Sequence, residues 1–517
     1  MTRSITITLL AISGLGALWI TLTVASTESR EVNRSQRADT LTLGVESDNG
    51  SLDPARTSTL DWTPATQICE TLILSEPGHN LRPGLAVSWD RPNARTWQFR
   101  LRQGVRFHDG SVLDANAAKR SLLRAFGLSA GGQGFRIESI SAPDASTLLI
   151  TTEQPFSPLP EYLSYINFAV LSPANLARGA EDVALHPVGT GPFKLGQYVP
   201  GRSALLARNE SYWGRAPRLS HLAYRVIPDP LSRLLSLEAG EIDAMRAIPL
   251  PELPRLRRSR TLRLVIGPGR HTHHLTFNRA TSPLRRYFDD VHVRQAFNYA
   301  VDRDALVKVV LNGAGEPATG AMPPWASARG AIPGYVHDVA RAKALLAAAG
   351  WPKGTRVRYI FSPGWLPQNE PMAELLQAQF HEVGIDLVLE PMEFGGAAQA
   401  EKNGDADIRH RGVTLTMGGT YYALWSRYDS ANSRAMSVDF SNRRVDELFE
   451  RAETAMDSGT EDEFLREIQG VVSDDAADVP LYYEDEVVAV NLSVRGDFSA
   501  GRGSRPDLEE VYIERVP

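Results

Sequence analysis

The segment from Arg356 to Leu389 constrains the fold more than any other. Val357, Tyr359 and Phe361 alternate as one face of a strand. Pro371 then starts a helix that carries Met372, Leu375, Leu376 and Val383 on one face, and Gly384 ends it. Ile385, Leu387 and Leu389 alternate again, so the unit is a βαβ crossover and the chain is of the α/β class. In open α/β sheets ligands sit outside the carboxyl ends of the strands, which places the loop Ser362 to Glu370 at a crevice. Trp365 and Gln368 are its candidates for stacking on a ligand and hydrogen-bonding it. Trp365 as a lid over the sheet edge is the competing reading.

The chain has 517 residues, 43% of them hydrophobic, enough for at least two domains. Its 55 basic and 61 acidic residues give a net charge of −6 with no long run of either sign, which excludes an extended nucleic-acid surface. A single cysteine, Cys69, rules out an intramolecular disulfide and a multi-thiolate metal site, and its apolar neighbours make it a small core residue. Residues 4–27 carry no charge and follow Arg3, as in an export signal or a membrane anchor, with Thr23-Val24-Ala25 offering a cleavage site. Residues 28–38 are polar and alternately charged, a tether by composition.

The folded body opens with Leu41, Leu43 and Val45 alternating, then a loop and a predicted helix from Trp62 to Leu74. Asn49 and Trp62 lie beyond a strand's carboxyl end and are candidates for the crevice, against the alternatives of a plain Asn-Gly turn and a core tryptophan. Trp97, Phe99 and Leu101 alternate, Asp109-Gly110 reads as a turn, and Asp114 is placed to cap a helix from Ala115 to Arg124. Gly127-Leu128-Ser129-Ala130-Gly131 matches the GxSxG of a nucleophile elbow. That elbow needs a preceding strand and a following helix, whereas here a helical stretch precedes and Gly132-Gln133-Gly134 follows. A loop is expected.

Gly189 to Asp243 ties these parts together. Gly189, Gly191 and Pro192 make a tight turn, Phe193–Tyr198 and Ala204–Ala207 read as paired strands, Leu222–Val226 as another strand, and Pro228 opens a helix. The order GTGPF, an RN..YWG turn, a Y.VIPD strand and a helix ending G.ID resembles the extracellular solute-binding proteins of family 5, the peptide, opine and nickel receptors of ABC importers. The segment Leu81 to Arg124 and the run LTFNRATSPLRRYFDDVHVRQAFNYAVDRDAL carry the same likeness, which extends over nearly everything after Asp39. The resemblance implies a two-lobed periplasmic-binding-protein-like fold of the large type II form. In it, 39–75, 187–265 and 480–517 form the first lobe, 76–186 an inserted subdomain and 266–479 the second lobe. The connecting strands are expected to cross near Gly267 and Val479. It also implies a monomeric receptor, periplasmic or otherwise extracytoplasmic. Such a receptor closes over a peptide-like, opine-like or oligosaccharide-like solute and hands it to ABC permease and ATPase subunits. No cysteine follows the N-terminal apolar run, so the lipid-anchored form is not expected. No GxxxxGK[ST] loop is present, so nucleotide hydrolysis falls to the partners. No cofactor, no catalytic residue and no nucleic-acid partner are expected.

Two further stretches bear on the ligand. His271 and His273 share one face of a strand, but no acid or thiol lies nearby in sequence, so no metal site is expected. After the strand predicted for Asp407 to Leu415 comes Met417-Gly418-Gly419 and then Tyr421, Tyr422 and Trp425. In peptide-binding members of the family an aspartate of this region pairs with the ligand's ammonium group. Here Ile408 to Tyr428 holds no carboxylate but does hold Arg409, His410, Arg411 and Arg427. The expectation is that Tyr421, Tyr422 and Trp425 form one wall of the site and that the solute is not an unmodified peptide. An acid from elsewhere, such as Glu46, Asp48 or Glu370, is the alternative. An exported hydrolase using Ser129 or the histidines, and an anchored sensor or chaperone on the same fold, are the competing functions.

Overall fold

The protein is described by a computed structural model covering residues 39–56, 62–75, 81–128, 135–328, 332–363, 368–415, 419–433, 439–496, 498 and 508–514. The N-terminal apolar run, Ser129, Trp365 and Met417 lie outside the described residues.

The βαβ unit forms as its periodicity dictates. Strands Arg356–Phe361 and Asp386–Pro391 pair in parallel, Arg356 opposite Asp386, joined by the helix Asn369–Glu382. The helix starts two residues before Pro371, which therefore sits inside its first turn, where a missing N–H costs nothing. Leu41, Leu43 and Val45 are buried on the strand Thr40–Val45, parallel to His221–Val226. Aspartates cap helices as the sequence leads one to expect. Asp114 accepts from the Ala117 amide at 2.8 Å, and Asp302 from the Ala305 amide at 2.9 Å.

One eleven-stranded sheet runs through the molecule. Its path is Asp386–Pro391, Arg356–Phe361, Ile408–Thr414, Leu262–Phe277, Asp478–Asn491, Ala244–Met245, Thr40–Val45, His221–Val226, Ser203–Arg208 and Phe193–Val199. Gly315–Pro317 pairs beside this path on Asp478–Asn491. The two long strands at its centre make it two lobes. Leu262, Val487 and Ala489 pack with Leu234, Ile242 and Met245, whereas Leu275, Phe277, Val479 and Leu481 pack with Val357, Phe297 and Leu376. One antiparallel ribbon thus belongs to two cores. Its register is interrupted between Pro268 and Thr272 and again between His273 and His274. At the first break Gly269 lies so close to the partner strand that an added Cβ would stand 2.2 Å from the Glu484 carbonyl oxygen. Glu486 is the residue opposite Gly267, while Val479 lies opposite Leu275, within the second lobe's core.

A separate four-stranded antiparallel sheet, Ala86–Asn93, Thr96–Leu101, Thr147–Thr152 and Ile137–Asp144, is covered by the helix Ala115–Leu128. Its buried Phe99, Leu101, Leu148 and Ile150 belong to a core that continues into Tyr421, Leu424, Leu448 and Ile468 of the second lobe.

The predicted helix from Trp62 to Leu74 is corrected by the structure. Only Ala65–Ile68 is helical; Cys69 is extended, Glu70 bridges to Val170, and Ile73–Ser75 is a strand. The cause is the GTG turn, which packs backbone to backbone on this segment. A Cβ on Gly189 would stand 2.2 Å from the Ile68 carbonyl oxygen, and one on Gly191 2.4 Å from that of Gln67. Buried Glu70 fixes the arrangement, accepting from Thr190 Oγ1 at 2.8 Å and from Tyr212 Oη and Trp213 Nε1 at 2.7 Å each. The YWG turn is held to the GTG turn through one carboxylate. Among the described residues no helix is long and apolar enough to cross a membrane.

Candidate functional site

The break in the central ribbon gathers polar groups from both lobes. His273, buried, places Nδ1 3.0 Å from His410 Nε2 and Nε2 3.1 Å from Glu484 Oε2, with its ring stacked between His410 and Tyr482. The Gln368 amide donates to Glu484 Oε1 at 3.4 Å, so the loop after Phe361 and the second long strand meet here. His271, exposed two residues along the same face, has Nδ1 3.0 Å from Thr414 Oγ1. Burial pushes the Glu484 carboxyl up, but the bond from His273 and the charges of His273, His271 and Arg246 outweigh it and hold the group below its usual range. His410 is driven well below the ordinary imidazole value by burial first and then by His273 and His274. In the bond between the stacked rings one nitrogen donates and the other accepts. No group of three or more His, Cys, Asp or Glu suited to a metal ion occurs among the described residues.

Beneath this lies a second network. Arg427 pairs with Asp478, which also accepts from Tyr428 Oη at 2.8 Å and lies 3.3 Å from His274 Nδ1; all four residues are buried. Burial, with the Arg427 charge beside it, lowers His274 to about 4. Arg409 and Arg411 pair with Glu401 at 3.0 and 2.8 Å. The three arginines of Ile408 to Tyr428 are therefore each paired with an acid from outside the segment, Arg409 and Arg411 sharing Glu401.

At the end of Thr40–Val45, Asn49 is exposed with φ 54° in a turn where its amide donates to Ser47 Oγ at 3.0 Å. Asp48 is occupied by the amides of Gly50 and Gly201 at 2.9 Å each, and Glu370 is exposed. Glu46 differs: its Oε2 is buried with no hydrogen bond, and Arg233 lies close enough to feel its charge. Trp62 packs in the first lobe's core, its ring 5.4 Å from Phe498, among Leu41 and Leu43. This is a packing position.

Tyr421, Tyr422 and Trp425 are on a helix, Gly419–Tyr428, that begins at the second of two glycines. Tyr421 is 1% exposed and its hydroxyl donates to Glu453, while its ring meets Phe156 edge-on at 5.7 Å. Tyr422 meets Tyr162 edge-on at 6.0 Å, and Trp425 stacks on Tyr421. The three rings join the second lobe to the inserted subdomain, and only Tyr422 and Trp425 remain half-buried. Sequence reasoning missed Glu484, Glu401 and Asp478. The only trace of the first was the alternation of Tyr482, Glu484 and Glu486 along one strand face. The GxSxG motif lacks its strand: the helix Ala115–Leu128 runs into it.

The chain matches the family model of bacterial extracellular solute-binding proteins, family 5 middle, over residues 80–435. It is 30% identical over 433 residues to the glutathione-binding protein GsiB of Salmonella paratyphi A, spanning 80% of this chain and 82% of that one. Among solved structures it is similar to the ABC transporter-associated periplasmic binding protein DppA from Helicobacter pylori in complex with the peptide STSA. That match has 25% identity and a TM-score of 0.72, and covers 94% of this chain and 100% of the other. HbpA2 from Haemophilus parasuis shares the fold at a TM-score of 0.81 with 22% identity, over 92% of this chain and all of that one. A ribbon shared by two lobes, a separate inserted sheet and the GTG and YWG turns locked by Glu70 are thus the build of a known receptor class: the chain belongs to family 5 of the bacterial extracellular solute-binding proteins, the substrate receptors of ABC importers.

Proposed function

We propose that this receptor captures a short peptide-like solute with a free amino terminus at the break in the central ribbon. The observation that carries the reading is Glu484. It is a carboxylate held ionised at the junction of the two lobes, bonded to His273 and Gln368, and it supplies the negative charge that Ile408 to Tyr428 lacks. A buried ammonium needs such a partner, since an unpaired charge in a closed cleft costs several kcal/mol. Glu46, with a buried oxygen that has no hydrogen bond, follows the carboxyl end of Thr40–Val45, separated from the ribbon by Ala244–Met245, and is the second acid of the site. Gln368, Asn49 and Trp365 are the proposed neutral contacts. Tyr422 and Trp425 close the far wall, with Tyr421 as packing behind it, while Trp62 packs in the first lobe's core. The names of the relatives, one binding glutathione and one complexed with a tetrapeptide, support the same solute class.

The receptor acts outside the cytoplasm as a monomer, exported by its N-terminal apolar segment, and delivers the solute to a permease driven by separate ATPase subunits. It turns nothing over. Closure is a population shift, drawn by contacts the solute makes only when both lobes reach it. Titration calorimetry with glutathione and with di- to pentapeptides, each free and N-acetylated, tests the solute class. Saturable binding of free peptides that acetylation weakens at least roughly tenfold is expected, about 1.4 kcal/mol of lost ammonium pairing. Binding that ignores acetylation, or binding of opines or oligosaccharides alone, overturns it.

A further inference from the structure

Away from the ribbon, the inserted subdomain and the second lobe enclose a cavity of about 530 Å³, within the range that takes a small organic ligand. Trp89 and Trp97 come from one side; the start of the helix Ser458–Asp474 comes from the other. Its charge is one-sided. Asp90, Glu161, Asp457, Glu461 and Asp462 line it, and Arg91 is the one base among the lining residues.

That arginine makes no ion pair with any of them, though its charge acts on Glu461. Its N–H groups go to the carbonyls of Ala455, Ala94 and Glu453, the last at 3.1 Å, and its guanidinium lies 5.5 Å from the centre of the Trp97 ring. Asp457 is consumed as a helix cap, accepting from the Thr460 amide at 2.9 Å, and Glu461 accepts from Ser157. Glu161 has no hydrogen bond or ion pair from its carboxylate to any other described side chain and lies against the Gly419 backbone, and Asp462 has the charge of Arg466 nearby but no ion pair with it among the described residues. Burial, then mutual repulsion with Glu461 and Asp462, drives Glu161 well above the usual carboxylate range. Burial lifts Glu461 to about 7 against its bond from Ser157, and Asp462 is raised by burial as well. The other charged groups packed nearby are Glu453, bonded to Tyr421, and Arg91 itself.

We infer that this cavity is a second binding site, for an organic cation whose ammonium or guanidinium groups lie against Glu161, Glu461 and Asp462 and whose alkyl body lies between Trp89 and Trp97. Tryptophan rings and carboxylates without an ion-pair partner attract a desolvated cation, and here both line one cavity. Both bodies contribute walls, so an occupant holds them together. A cation lowers the carboxyl pKa values, so binding expels protons and strengthens as pH rises through about 7.

Spermidine and L-arginine amide are the probes, followed by tryptophan fluorescence and by calorimetry in two buffers of different ionisation enthalpy at pH 6.5. The account predicts saturable binding of at least one probe, release of protons, and an affinity at least about tenfold higher at pH 8 than at pH 5.5. Glu161→Gln and Asp462→Asn each weaken it at least about tenfold, with Trp89→Leu as an independent variant should either carboxylate change impair folding. Gln368→Ala, at the ribbon, leaves it unchanged, which separates this site from the peptide site. No saturable binding of either probe overturns the inference, and so does binding that takes up no part in proton release or that survives all three cavity variants.

Discussion

Replacing Asp478 by asparagine tests the buried network that holds the helix Gly419–Tyr428 to the ribbon. The side chains of Arg427 and Asp478 are 1% and 3% exposed, so the substitution leaves a guanidinium charge with no counter-ion and no water. Breaking a buried pair from one side costs about 3–5 kcal/mol. For a cooperative unit of 150–250 residues that is a fall in Tm of roughly 10 °C. Tyr428 keeps a bond to the new amide oxygen, so the loss is that of charge and not of every partner. Removing both charges together, as in Arg427→Met with Asp478→Leu, recovers most of the stability, because the desolvation cost of the pair goes with it. The assay is equilibrium urea unfolding followed by tryptophan fluorescence at pH 7 and pH 3. Arg427 and His274 hold the Asp478 carboxyl below its ordinary range despite burial. Its contribution is therefore complete above the unfolded value near 4 and is lost as pH falls below it. The single variant should lie several kcal/mol below wild type at pH 7 and closer to it at pH 3. A single variant within about 1 kcal/mol of wild type at pH 7 would refute the reasoning.

Other expectations follow from single residues. His274 is lowered to about 4, so it remains neutral in the folded state while the unfolded chain takes up protons below about 6.5. Wild type should lose roughly 2–3 kcal/mol relative to His274→Asn between pH 7 and pH 4, read by urea unfolding, and parallel curves would contradict this. Gly269→Ala drives a methyl group to 2.2 Å from the Glu484 carbonyl oxygen, so the ribbon must separate at its break. Destabilisation of about 1–3 kcal/mol with weakened solute binding is expected, and an unchanged Tm would show that the approach is not tight. Glu70→Gln, which gives up charge from an acceptor of three donors, should cost about 2 kcal/mol by chemical unfolding without changing solute stoichiometry.

Much of the scaffold was legible because local patterns and tertiary packing agree. Leu41, Leu43 and Val45 alternate and are all buried; Val357, Tyr359 and Phe361 do the same; Asp114 and Asp302 cap where they stand before helices. The segment Trp62–Leu74 misled because its apolar residues fit a helix while the GTG turn, more than a hundred positions away, claims the backbone after Ile68. The helix Gly419–Tyr428 was hidden by two glycines and by aromatics that rank low in helix propensity, and packing against Phe156 and Tyr162 overrides both. The site was the least legible part. Glu484 reaches His273 from 211 positions away, and Glu401 reaches Arg409 across a turn. Counting carboxylates within one segment cannot register either, since strand pairing and not sequence distance decides which charges meet.

The central claim is that the two lobes, joined by one ribbon with a break at Pro268–Thr272, close on a small solute. Small-angle X-ray scattering of the protein with and without glutathione and a panel of free tripeptides and tetrapeptides, at saturation, tests it most directly. A smaller radius of gyration with at least one of these solutes, abolished by Glu484→Gln together with Gln368→Ala, is the predicted result. A radius unchanged by every solute that calorimetry shows to bind, or no binding by any of them, would contradict the account.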